Sequence, residues 1–151
     1  MRLWRKALLI GLALGLSAFL GVSVWGVRVY RHQPADAARA AEQFADLAVV
    51  RSDVAGSYAR IAPEFQRTIS EERLGDAVAK MHPAGRPKEV RATEYEPMPG
   101  QAAMMIFLKG TRGDESFFYR FMMLGDQPSG YRVGGFWRGS GPYPPSARKA
   151  L

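Results

Sequence analysis

The sequence predicts an α+β protein: an N-terminal transmembrane helix, then helices packed on an antiparallel sheet. Three observations carry this reading. Residues 7–27 run for 21 positions without a charge, residues 35–81 place apolar side chains at helical spacing, and residues 88–138 form short strand-like runs divided by glycine-rich turns. Helices first and strands afterwards describe an α+β layer with the helices on one side of the sheet.

The apolar span comes first. At 1.5 Å per residue it makes a helix of about 31 Å, matched to a hydrocarbon core of roughly 30 Å. Trp4 and Trp25 fall near its ends, where indole rings favour the headgroup region. Gly11, Gly15 and Gly21 weaken a soluble helix but are common in membrane spans. A cleaved signal peptide is the competing reading. Its apolar run is usually only about 7–15 residues long, and Gly21-Val22-Ser23 is a weak cleavage site, so an uncleaved anchor is preferred. The spacing of Gly11 and Gly15 would let two spans approach closely, but so short a pattern is frequent by chance, and a passive anchor is preferred.

Charge sets the expected topology. Arg2, Arg5 and Lys6 precede the span while Arg28 and Arg31 follow it, a bias that keeps residues 1–6 in the cytoplasm and exports the rest. The absence of Asn and the preference for Arg over Lys suit a GC-rich bacterial genome, placing the C-terminal domain on the periplasmic side of an inner membrane. The formal charge of +7 does not indicate a nucleic-acid partner. Residues 1–32 hold five basic residues and no acid, whereas the remaining 119 carry 16 basic and 14 acidic ones. A nucleic-acid module concentrates cations on one face. With no cysteine, neither a disulfide nor a thiolate site is available.

Residues 28–34 form a juxtamembrane linker, and Pro34 suits a helix start. Residues 35–51 put Ala37, Ala41, Phe44 and Ala48 on one stripe, an amphipathic helix. Ser52 or Asp53 caps a shorter helix bearing Val54, Tyr58 and Ile61, which Pro63 ends or bends. Ser70, with Glu71 and Glu72 in the first turn, starts a third helix whose apolar face is Leu74, Ala77, Val78 and Met81. Residues 82–87 then stop it. The strands follow: 88–96 as an edge strand, 102–109 as a central one, then 115–124 and 131–138. The domain therefore spans residues 35–139, and residues 140–151 form an extended tail.

Phe44, Tyr58, Phe65, Ser70, the strand Phe117-Phe118-Tyr119-Arg120-Phe121 and the run from Tyr131 to Trp137 carry a resemblance. Over residues 35–140 their order is similar to the nuclear-transport-factor-two-like superfamily, the cystatin-like cone fold. The resemblance implies a curved sheet wrapped against the helices. It also implies either a small-molecule isomerase, cyclase or dehydratase, or a non-enzymatic module such as the exported domain of a single-span envelope protein.

The last hairpin locates a candidate site. Pairing Leu124 with Tyr131 sets Met122 opposite Val133, Arg120 opposite Gly135 and Phe118 opposite Trp137. The face with Phe118, Arg120, Met122, Leu124, Tyr131, Val133 and Trp137 is then the natural inner surface. With Tyr58, these residues make a pocket whose Arg120 guanidinium would favour a small apolar anion. The plainer alternative pairs Arg120 with a helix carboxylate, Glu42 or Glu64, or lets it reach outward. A bulge at Gly134-Gly135 would move Arg120 to the other face. That other face would show Phe117, Tyr119, Phe121, Arg132, Phe136 and Arg138 as a candidate interface, unless the tail through Pro142 and Tyr143 folds over it.

Catalytic groups are sparse. Asp114 and Asp126 fall in turns, and His32 and His82 lack partners at ligand spacing, so no catalytic residue, metal site or cofactor is expected. The leading expectation is a membrane-tethered, non-enzymatic binding or assembly module. Its partners would be the lipid bilayer and another envelope protein or a second copy. The alternative is a small-molecule-binding accessory protein or isomerase-like enzyme using the cone pocket.

Overall fold

The computed structural model describes residues 30–143 and 148–151. The expected anchor at residues 7–27 lies outside them, and no helix among the described residues is long and apolar enough to cross a membrane. Within them the α+β expectation holds. Helix α1 (Pro34–Ala45) opens with Pro34 in its first turn, where no N–H donor is required, and buries Ala37, Ala41, Phe44 and Ala45. The helix predicted to run on to residue 51 changes pitch instead. Asp46–Val50 is a π turn, with the Arg51 N–H donating to the Asp46 carbonyl at 2.9 Å, and the wider turn brings Ala48 and Val49 together onto the core.

Asp53 caps α2 (Val54–Tyr58), its carboxylate accepting from the Gly56 N–H at 2.9 Å. A single turn, α3 (Pro63–Gln66), was not anticipated. Ser70 caps α4 (Glu71–Lys80) by accepting from the Arg73 N–H at 3.3 Å, and Leu74 and Val78 are its buried face.

Four strands then form a meander: β1 (Glu89–Pro97), β2 (Ala103–Arg112), β3 (Glu115–Asp126) and β4 (Gly130–Gly139). A short β5 (Lys149–Ala150) pairs with β1, so the sheet order is β4-β3-β2-β1-β5, antiparallel throughout. The segment expected to be an edge strand is thus covered by the tail. At the other edge, the Ala62 N–H donates to the Val133 carbonyl and the Val133 N–H to the Arg60 carbonyl. Each edge is thus covered in part, which limits uncontrolled strand pairing.

Register shifts at Thr93 in β1 and Gly134 in β4 mark bulges, which bend their strands and strengthen the twist. Glu42 of α1 accepts from the Ala92 N–H at 2.8 Å beside the first bulge, so this carboxylate is committed to the sheet. On the helix side of the sheet, the Phe44 ring meets Phe121 edge-on at 5.6 Å and Phe136 at 5.4 Å. The small Ala37, Ala41, Ala45 and Ala48 let α1 lie close to the strands.

In β3 the predicted faces are reversed, while Val133 of β4 is on the helix side as expected. Phe117, Tyr119, Phe121 and Met123 are buried against the helices, while Phe118, Arg120, Met122 and Leu124 lie half-buried on the other side. The register is also displaced: Gly125 pairs with Tyr131, Leu124 with Arg132, Met122 with Gly135, Arg120 with Trp137 and Phe118 with Gly139. The turn displaces the pairing by one residue, and Gly134, the extra residue of the bulge, displaces it by one more from Met122 onward. A Cβ there would meet Leu124 Cγ at 2.5 Å, so glycine allows the two strands to close at the bulge.

Candidate functional site

The face remote from the helices gathers the unusual chemistry. Arg120, near the middle of β3, has its guanidinium over the Trp137 ring at 5.0 Å and over the Tyr143 ring of the tail at 5.4 Å. Its Nε is buried without a hydrogen-bond partner. Trp137 is 41% exposed, a large apolar side chain left to water. The space that glycine was expected to open beside Arg120 is filled differently. Gly135 lies opposite Met122, and its vacant Cβ position is taken by the Trp137 ring, 2.8 Å away. Neither proposed carboxylate reaches Arg120: Glu42 is held at Ala92 on the other side of the sheet, and Glu64 sits exposed in α3.

Two described residues of the tail, Tyr143 and Arg148, lie over this face and act as a strap. Tyr143 packs edge-on against Phe107 at 5.7 Å, and Arg148 stacks over the same ring at 4.8 Å. Arg148 also pairs with Glu94 at 3.2 Å and donates to the Tyr143 carbonyl at 3.0 Å. Burial raises the Tyr143 phenol above its ordinary pKa, opposed by the Arg120 cation. The strap therefore covers Phe107 and one side of Arg120, leaving Trp137 exposed and Met122 and Leu124 half-buried.

The residues expected to form one pocket divide between two sides of the sheet. Phe118, Arg120, Met122 and Trp137 share the helix-remote face, whereas Val133 is fully buried on the helix side. Tyr58 is a latch, donating toward the carbonyls of Ile69 at 3.1 Å and Gln66 at 3.3 Å. Of the residues expected to form an interface, Phe117, Tyr119, Phe121 and Phe136 are core. Arg138 sits over Phe117 at 4.9 Å and donates to the Met81 carbonyl, while Arg132 donates to the Ala59 carbonyl at 2.9 Å. That core placement removes the aromatic surface they were expected to present.

A buried polar pair lies on the helix side. His82 Nδ1 is 2.7 Å from the Val78 carbonyl, so that nitrogen carries the proton, and Nε2 then accepts from the Tyr119 hydroxyl at 2.7 Å. Desolvation lowers the His82 pKa from 6.5, and the Arg138 and Arg86 cations push the same way against the bond to Val78. Desolvation also raises the Tyr119 phenol. Arg86 donates to the Ala48 carbonyl, the Val49 carbonyl and Ser52 at the end of the π turn. This arrangement fixes the loop after α4 onto the helix and the sheet. It contains no carboxylate base, and no metal-binding group of His, Asp and Glu occurs among the described residues.

The sequence reading missed Arg148 and, as a ligand of Arg120, Tyr143. Within residues 117–124 the set containing Arg120 carries the one charge, too little to fix the faces from sequence, and the other set is the one in the core. Comparison with protein-family models, curated proteins and solved structures finds no match.

Proposed function

We propose that the chain is a membrane-tethered, non-enzymatic binding or assembly module on the exported side of a bacterial inner membrane. Residues 7–27 act as its single-pass anchor, and the domain is a cone-fold relative of the nuclear-transport-factor-two-like superfamily. One observation carries the reading: Trp137 stands exposed against a stacked, carboxylate-free Arg120 on a face that also bears Phe118, Met122 and Leu124. Aromatic, Met and Arg side chains with few other charges are the composition of interface cores. The partner is a second copy or another envelope protein held in the same membrane, where tethering raises the effective concentration. The cone-pocket reading has less room, since Phe44, Phe121 and Phe136 fill the space between α1 and the sheet.

A photo-crosslinking residue at position 137 of the full chain in native membranes tests this. A discrete adduct is expected from 137, and none from a control at Arg73 on the exposed side of α4. Adducts of equal yield from both positions, or none from 137, would count against the surface.

A further inference from the structure

The residues that lead out of the proposed anchor are fastened to one corner of the domain. The Gln127 N–H donates to the Arg31 carbonyl at 2.8 Å, and the Gln33 N–H donates to the Tyr131 hydroxyl at 2.8 Å. Both contacts lie on the β3–β4 turn or the first residues of β4. Four residues from the end of the span to Arg31 reach at most about 14 Å even when fully extended. With the anchor in place, this turn sits at or just above the headgroup layer.

A cleft of about 500 Å³ opens at the same corner, between α1, the α2–α3 connection and the start of β4. Arg60 and Arg132 line it together with Ser129 and Tyr131, and no carboxylate contributes to the lining. Each arginine is oriented by one neutral acceptor: Arg60 donates to Gln43 Oε1 at 2.7 Å, and Arg132 to the Ala59 carbonyl at 2.9 Å. Neither has a carboxylate partner among the described residues, unlike Arg39, Arg51, Arg112 and Arg148. The nearby Asp126 is engaged by the Ser129 N–H and hydroxyl. The part-exposed Ala40 and Leu47 add apolar wall. The corner thus pairs two oriented guanidinium forks with a partly apolar recess, a few residues from a bilayer.

We propose that this cleft takes the phosphate group of an anionic phospholipid from the leaflet in which the chain is anchored. Guanidinium forks match phosphate oxygens two at a time, and the lipid's glycerol carbons lie against Ala40 and Leu47. Arg28 and Arg31 in the linker add positive charge to the attraction.

The proposal rests on the tethered reading, and the experiment separates the two. Membranes holding the full chain are first washed with alkaline carbonate. Release of the chain overturns the tether and this proposal with it, while retention leaves the cleft to be decided by lipid binding. The full chain in a neutral detergent is then mixed with phosphatidylglycerol or phosphatidylcholine and examined by native mass spectrometry. Wild type should retain phosphatidylglycerol about tenfold better, an advantage near 1.4 kcal/mol. Arg60→Gln with Arg132→Gln should abolish that preference, and the lysine pair Arg60→Lys with Arg132→Lys should restore part of it. A glutamine pair that retains the lipid as wild type does, or a preference lost only on replacing Arg28 and Arg31, overturns the cleft. Displacement of the lipid by millimolar inorganic phosphate would make this a small-anion site and overturn the lipid source.

Discussion

At the scale of single residues, His82 shows how burial and hydrogen bonding decide a protonation state. Its Nδ1–H is committed to Val78 and its Nε2 lone pair to Tyr119, while Arg86 and Arg138 oppose a second positive charge. The folded pKa lies below 6.5, so the unfolded chain takes up a proton first on acidification. The stability contributed by neutral His82 is complete above pH 6.5 and is lost as pH falls from there through the folded value. Urea midpoints should therefore decline between pH 7.5 and pH 5.5, and His82→Gln should flatten that decline while lowering the midpoint at neutral pH. A wild-type midpoint that rises on acidification would contradict a folded His82 held neutral by its surroundings. None of this was legible in the sequence, where His82 reads only as the end of a helix before Pro83. Its partner Tyr119 is 37 residues away and was assigned to the opposite face. Arg120 was singled out correctly as the odd residue of its strand, but its partners are rings rather than a carboxylate. Composition marks a residue as anomalous, whereas the identity of its neighbours depends on pairing.

Among the elements, the tail matters most. Residues 140–151 read as an extended Pro- and Gly-rich stretch, and the question left open was whether they cover a sheet face. They cover part of one: Tyr143 lies on Phe107 and Arg120, and Lys149–Ala150 adds a fifth strand to β1. Removing residues 140–151 from the full chain should strip Arg120 of one stacking ring and expose Phe107. The β1 edge should lose its neighbour, with faster amide exchange near Glu94 and Tyr95 and a stability loss of about 1–3 kcal/mol, the range for exposing one buried aromatic. Unchanged exchange along β1 would show that the strap contributes nothing to the sheet. Helix ends were the most legible features, because Asp53 and Ser70 cap through bonds only three residues long. The π turn was not legible, since α and π turns accept the same side chains and only the sheet beneath decides which of them must point down.

For the whole molecule, the arrangement among the described residues is a sheet with helices packed on one face, Tyr143 and Arg148 of the tail on the other, and each edge covered in part. In the proposed setting, the linker fastened to the β3–β4 turn leaves the domain little freedom to turn over on the membrane. Alkaline phosphatase fused after Leu151 should be active in a bacterial host, and exchanging the positive residues on the two sides of residues 7–27 should reduce that activity several-fold. An inactive fusion to the native chain would place the domain in the cytoplasm. By itself the sequence determined the order of helices and strands, their caps and turns, and a charge-free stretch long enough to span a bilayer. Those follow from interactions between near neighbours or from simple length. Only the tertiary structure decided which side of the sheet is the core. Residues 117–124 are apolar on both alternating sets apart from Arg120, so a period of two cannot choose between them. The choice depends on where the helices pack, and the extra residue at Gly134 in β4 brings Val133 to the core while Trp137 stays exposed on the other face.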